Sequence, residues 1–101
     1  MKKCVVIRRI ECGKSNCDDV TETIGAAAIC DSDILAIQKA VDLAKAEKKV
    51  MEKAGWDNVN FNCFDGGIMV TGTAWNYDKS GKRTGNSYKT VRYYTSMVKE
   101  D

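Results

Sequence analysis

The stretch that decides the fold is DILAIQKAVDLAKAEKKVMEKA, residues 33–54. Apolar residues recur at Ile34, Ile37, Val41, Ala44 and Met51, with a flanking row at Ala40, Leu43, Val50 and Ala54. Gln38, Asp42, Lys45, Lys49 and Glu52 fall on the opposite side. This is the 3.6-residue period of an amphipathic helix, and the Ile34–Met51 stripe is expected to lie on a core. Asp31 or Ser32 supplies a side-chain oxygen that can accept from an orphan N–H of the first turn. Gly55 suits the left-handed position just past a helix end. Lys48, Lys49 and Lys53 complement the dipole in the last turns.

Strands are expected on both sides of this helix. Before it, Lys3 to Glu11 holds the β-branched cluster Val5, Val6, Ile7 and then Ile10. Gly13 to Asp19 reads as a polar turn, and Val20 to Ile29 as a second strand weakened by Gly25 and three alanines. After the helix, Val59 to Phe64 and Ile68 to Tyr77 flank Asp65-Gly66-Gly67, a strong hairpin signal. A polar loop over Asp78 to Asn86 then leads into a last strand, Ser87 to Val98. The order β-β-α-β-β-β predicts an α+β fold, with one long helix on one face of a mainly antiparallel sheet. At 101 residues and 11.2 kDa, residues 1–101 are read as a single domain.

Composition excludes several chemistries. Histidine is absent, which removes Ser-His and Cys-His nucleophile pairs and any zinc site that uses histidine. Proline is absent too, so no proline-rich linker or PxxP ligand exists. The net charge of +2 is too balanced to predict a strong nucleic-acid or membrane binder. Its distribution is polarised. Residues 15–38 hold five acids (Asp18, Asp19, Glu22, Asp31, Asp33) and no base, and residues 79–99 hold six bases (Lys79, Lys82, Arg83, Lys89, Arg92, Lys99) and no acid. Lys2 and Lys3 precede an apolar run of only Cys4 to Ile7, too short for a secretory signal, and no run approaches a membrane span. A cytoplasmic protein with reduced thiols is expected.

One helix covers one face of a sheet, and alternation assigns the other. In the fourth strand Ile68, Val70, Gly72 and Ala74 are expected inward, which leaves Met69, Thr71, Thr73, Trp75 and Tyr77 outward. In the last strand Val91, Tyr93 and Met97 are expected inward, and Tyr88, Thr90, Arg92 and Tyr94 outward. The outer face thus groups Trp75, Tyr77, Tyr88, Arg92 and Tyr94 beside a loop with Lys79, Lys82 and Arg83. Aromatic and arginine side chains of this kind make interface hot spots. They also form the platforms on which single-stranded nucleic acid stacks. The alternative is that the N-terminal hairpin or a second subunit covers the face.

Other motifs are weaker. Gly13-Lys14-Ser15 resembles the end of a phosphate-binding loop, but Arg8 stands where the pattern needs glycine. Cys12, Cys17 and Cys30 with Cys4 or Cys63 offer four thiolates for zinc, yet no C-x-x-C pair is present among the five cysteines. A Cys12–Cys17 disulfide and unmodified thiols are the other readings. Asp31 and Asp33 have a magnesium-compatible spacing but serve equally as capping and first-turn residues. No catalytic constellation, metal or cofactor is therefore expected. The sequence points to a small non-enzymatic protein-binding domain, a stoichiometric inhibitor or adaptor of the size phages use against host factors, with a larger protein as partner. Single-stranded nucleic-acid binding and a cysteine-centred zinc protein are the alternatives, and a homodimer that buries the aromatic face would undercut both binding readings.

Overall fold

The computed structural model describes residues 2–14, 20–64 and 67–99. Its elements are β1 (Lys2–Lys14), β2 (Val20–Cys30), α1 (Asp33–Lys53), β3 (Asp57–Phe64), β4 (Gly67–Tyr77) and β5 (Arg83–Lys99). The fold is α+β, with one five-stranded sheet in the order β2-β1-β5-β4-β3 and every neighbour antiparallel. The helix follows one edge strand after a two-residue link and ends shortly before the other, so it crosses the sheet and touches all five strands. A helix of 21 residues is about 31 Å long, whereas the molecule extends 59 Å. The helix thus shields only part of its own face, and no described element lies on the opposite face.

Local signals fix the helix ends. Ser32 is the N-cap, with its Oγ accepting from the Leu35 N–H at 3.2 Å. Gly55 ends the helix at φ 94°, a backbone conformation that side chains with a Cβ resist.

The buried seam of α1 differs from the expected stripe. Ala36, Ala40, Ala44, Glu47 and Met51 are buried. Ala44 and Met51 are as expected, but Ile34, Ile37 and Val50 are 65%, 54% and 57% exposed. The physical reason is closeness. Alanines at every fourth position let the helix backbone approach the sheet, and bulkier residues are pushed to its flanks. Beneath it Val6, Val70 and Val91 are fully buried, with Cys4, Ile68 and Tyr93 beside them. Gly72 leaves the room that Met51 fills, since a Cβ there would stand 2.8 Å from Met51 Cε.

Strand ends also shift. β1 continues to Lys14, so Gly13 and Lys14 are strand, not turn. Ser15 to Asp19, with Cys17, Asp18 and Asp19, lie outside the described residues. Asp65 and Gly66 of the expected hairpin turn also lie outside them, while Gly67 opens β4. The polar loop after β4 is shorter than expected. β5 begins at Arg83, which pairs with Tyr77, so Arg83 is a strand residue.

Between helix and sheet lies a polar cluster. Arg8, from β1, donates to Glu47 Oε1 on α1 and, from Nε, to the Tyr93 hydroxyl on β5 at 2.9 Å. That hydroxyl donates to Glu47 Oε1 at 3.3 Å. Burial pulls the Arg8 pKa down, but its bonds to Glu47 and Tyr93 more than offset this and hold it above the ordinary arginine value. Burial, aided by the Glu47 charge, pushes the Tyr93 phenol up.

Candidate functional site

The open face can be built from the strand registers. Val70 opposite Val91 and Ile68 opposite Tyr93 are core pairs beneath the helix. Their neighbours in sequence therefore face away. Across β5 and β4 these are Tyr94 with Gly67, Arg92 with Met69, Thr90 with Thr71, Tyr88 with Thr73, and Asn86 with Trp75. From β1, Ile7, Arg9 and Glu11 stand opposite Tyr94, Arg92 and Thr90. The expected inward and outward sets of β4 and β5 match this register, but Met97, on the helix side opposite Cys4, is exposed and not part of the core.

The site residues fall into separate zones. At one end Trp75 and Tyr77 are 47% and 58% exposed. The Arg83 guanidinium carbon lies 4.4 Å from the centroid of the Trp75 ring, a cation–π stack. Tyr88 is in the next row, its ring lying across Gly13 of β1. Tyr94 is six residues further along β5, about 20 Å away at strand rise, beside Ile7. Between these ends Arg92 donates to Glu11 Oε1 at 2.9 Å. Arg9 contacts the same carboxylate at 3.3 Å and Glu22 at 2.9 Å. Arg9 and Arg92 are direct cross-strand partners, and the two glutamates relieve their repulsion. The hydrogen bond that Arg9 donates to Glu22 is the main reason its pKa lies above the ordinary value.

A tight turn sets the position of Arg83. The Asp78 carboxylate accepts from the Ser80 N–H at 2.9 Å, the Ser80 hydroxyl at 2.6 Å and the Lys82 N–H at 3.0 Å. These bonds, the Ser80 hydroxyl foremost, hold its pKa below the ordinary value. The Asp78 N–H donates to the Lys82 carbonyl at 2.9 Å, which closes the chain so that Arg83 enters β5 beside Tyr77. Lys79 and Lys82 are exposed at the tip. Lys89 lies opposite Cys12 and Gly72, on the helix side, and is no part of the aromatic face.

Of the expected residues, then, Trp75, Tyr77, Tyr88 and Arg83 come together with Lys79 and Lys82 nearby. Arg92 is engaged in the ion-pair chain, and Tyr94 lies beside that chain, opposite Ile7 and far from the Trp75–Arg83 stack. Arg9, Glu11 and Glu22 were missed, although the alternation Ile7, Arg9, Glu11 in β1 carries the signal.

The four described cysteines occupy three separate places. Cys4 and Cys30 are neighbours at one end of β1, Cys12 is eight residues along the same strand, and Cys63 is on β3 at the far edge. Among the described residues no group of three or more Cys, Asp or Glu is gathered as a metal site. No helix among them is long and apolar enough to cross a membrane. Comparison with protein-family models, curated proteins and solved structures finds no match to this chain.

Proposed function

We propose that this chain is a non-enzymatic protein-binding domain that docks a larger protein partner on its open sheet face, as a stoichiometric inhibitor or adaptor in the cytoplasm. The observation that carries this reading is the Trp75–Arg83 stack, flanked by Tyr77 and Tyr88, on a face that no described element covers. Tryptophan, tyrosine and arginine are the residues whose loss costs most in interfaces. The described titratable cluster, Arg8 with Glu47 and Tyr93, is paired within itself beneath the helix, which favours a structural over a catalytic role. A protein partner is favoured over nucleic acid because Glu11 and Glu22 stand in the middle of the face and Lys89 faces the other way. These carboxylates neutralise Arg9 and Arg92 there, which leaves no net positive charge for phosphates in that zone.

The test is affinity capture from the source cells with matched variants. Trp75→Ala, Arg83→Ala and Tyr88→Ala are expected to lose a partner that wild type retains, each by about 30-fold in affinity, the equivalent of about 2 kcal/mol. Ile34→Ser, on the exposed flank of the helix, keeps it. Undiminished capture by all three face variants would overturn the reading. A salt-sensitive oligonucleotide shift that needs the same residues would replace it with single-stranded nucleic-acid binding.

A further inference from the structure

The register of β1 and β2 places two thiols opposite one another. Cys4 and Cys30 are direct antiparallel partners, one step from the pair Val5 and Ile29. Opposed residues point to the same face, and here both belong to the core side, Cys4 at 2% exposure and Cys30 packed against the core while half-buried. Opposed antiparallel residues have Cα atoms about 4.5–5.5 Å apart, within the about 4.4–6.8 Å that a disulfide spans. Among the described cysteines no other pair is so placed: Cys12 stands opposite Thr21 and Lys89, and Cys63 opposite Ile68.

We infer that Cys4 and Cys30 form a dithiol modification site that a small-molecule disulfide of the glutathione class converts to a cross-strand disulfide. The more exposed Cys30 thiolate attacks a sulfur of the oxidised glutathione, forms a mixed disulfide and releases one glutathione thiol. The Cys4 thiolate then attacks Cys30 Sγ and expels the second glutathione. Two protein thiols and one small disulfide become one protein disulfide and two small thiols. The bond fastens β2, an edge strand paired only with β1 and exposed along most of its length, just before the Ser32 cap of α1.

The experiment treats the reduced full chain with oxidised glutathione, blocks remaining thiols with N-ethylmaleimide and reads intact mass and peptide linkage. Five blockable thiols are expected to fall to three, with a single Cys4–Cys30 linked peptide. Cys4→Ser is expected to stop at a glutathione adduct on Cys30, and Cys30→Ser to form no bridge, while circular dichroism verifies that both variants fold. Linkage through Cys12, Cys17 or Cys63 instead, or five thiols still blockable at every glutathione ratio, would overturn the inference.

Discussion

Replacing Arg8 with methionine isolates the energetic role of the polar cluster under the helix. Glu47 is 6% exposed, and Arg8 is its ion-pair partner. With Arg8→Met, Glu47 keeps the Tyr93 hydroxyl but loses its counter-charge. Removing one partner of a buried pair costs about 3–5 kcal/mol, because the other charge stays desolvated. The Arg8 side chain is 35% exposed, so water reaches the pair and the lower end, about 3 kcal/mol, applies. That is a large share of the about 5–15 kcal/mol that holds such a domain together. In urea, with a slope of about 1–2 kcal/mol per molar, the midpoint falls by about 1.5–3 M. The triple variant Arg8→Met/Glu47→Leu/Tyr93→Phe removes both charges and the hydroxyl they would leave unpaired, and is expected to return to within about 1 kcal/mol of wild type. A loss below about 1 kcal/mol for Arg8→Met, or a triple variant no better than the single, would refute this reasoning.

Two further outcomes follow from the same contacts. Ala40→Leu drives a larger side chain between α1 and the sheet and costs about 1–3 kcal/mol in urea unfolding, whereas Ile34→Ser stays within about 0.5 kcal/mol of wild type; the reverse order would contradict the observed helix seam. Tyr93 has its folded pKa above its ordinary value of 10.0, so the stability it contributes is complete below that pH and is lost as pH rises through the folded value. Melting temperature measured across that range is expected to fall more steeply for wild type than for Tyr93→Phe, and equal slopes would count against the buried phenol.

The order of elements was legible because each has a local cause: the 3.6-residue period, the Ser32 cap, Gly55, and β-branched runs between polar turns. The faces of β4 and β5 were legible because Ile68, Val70, Gly72 and Ala74 alternate with larger or polar residues. The helix seam was not. Hydrophobicity ranks Ile34 and Ile37 above Ala36 and Ala40, but a helix pressed on a sheet selects for size at the closest line. Glu47 was hidden for a related reason. A charge on an apolar line reads as an error until its partner appears, and Arg8 is 39 positions away in sequence. Arg83 was assigned to a loop because Lys82 to Asn86 is polar throughout, yet the Asp78 turn hands that segment directly to the ladder with Tyr77. Of the candidate site, the aromatic grouping was visible in the alternation. The division of the face by Arg9, Glu11, Glu22 and Arg92 was not, because it depends on which strands are neighbours.

The most direct test of the open face is acrylamide quenching of Trp75 fluorescence in a Trp56→Phe variant, read over a range of protein concentrations. With that face bare, Trp75 is quenched strongly at every concentration. Strong shielding at the lowest concentration would mean that the chain covers its own rings, and shielding that grows with concentration would mean that a second copy does; either result contradicts the account.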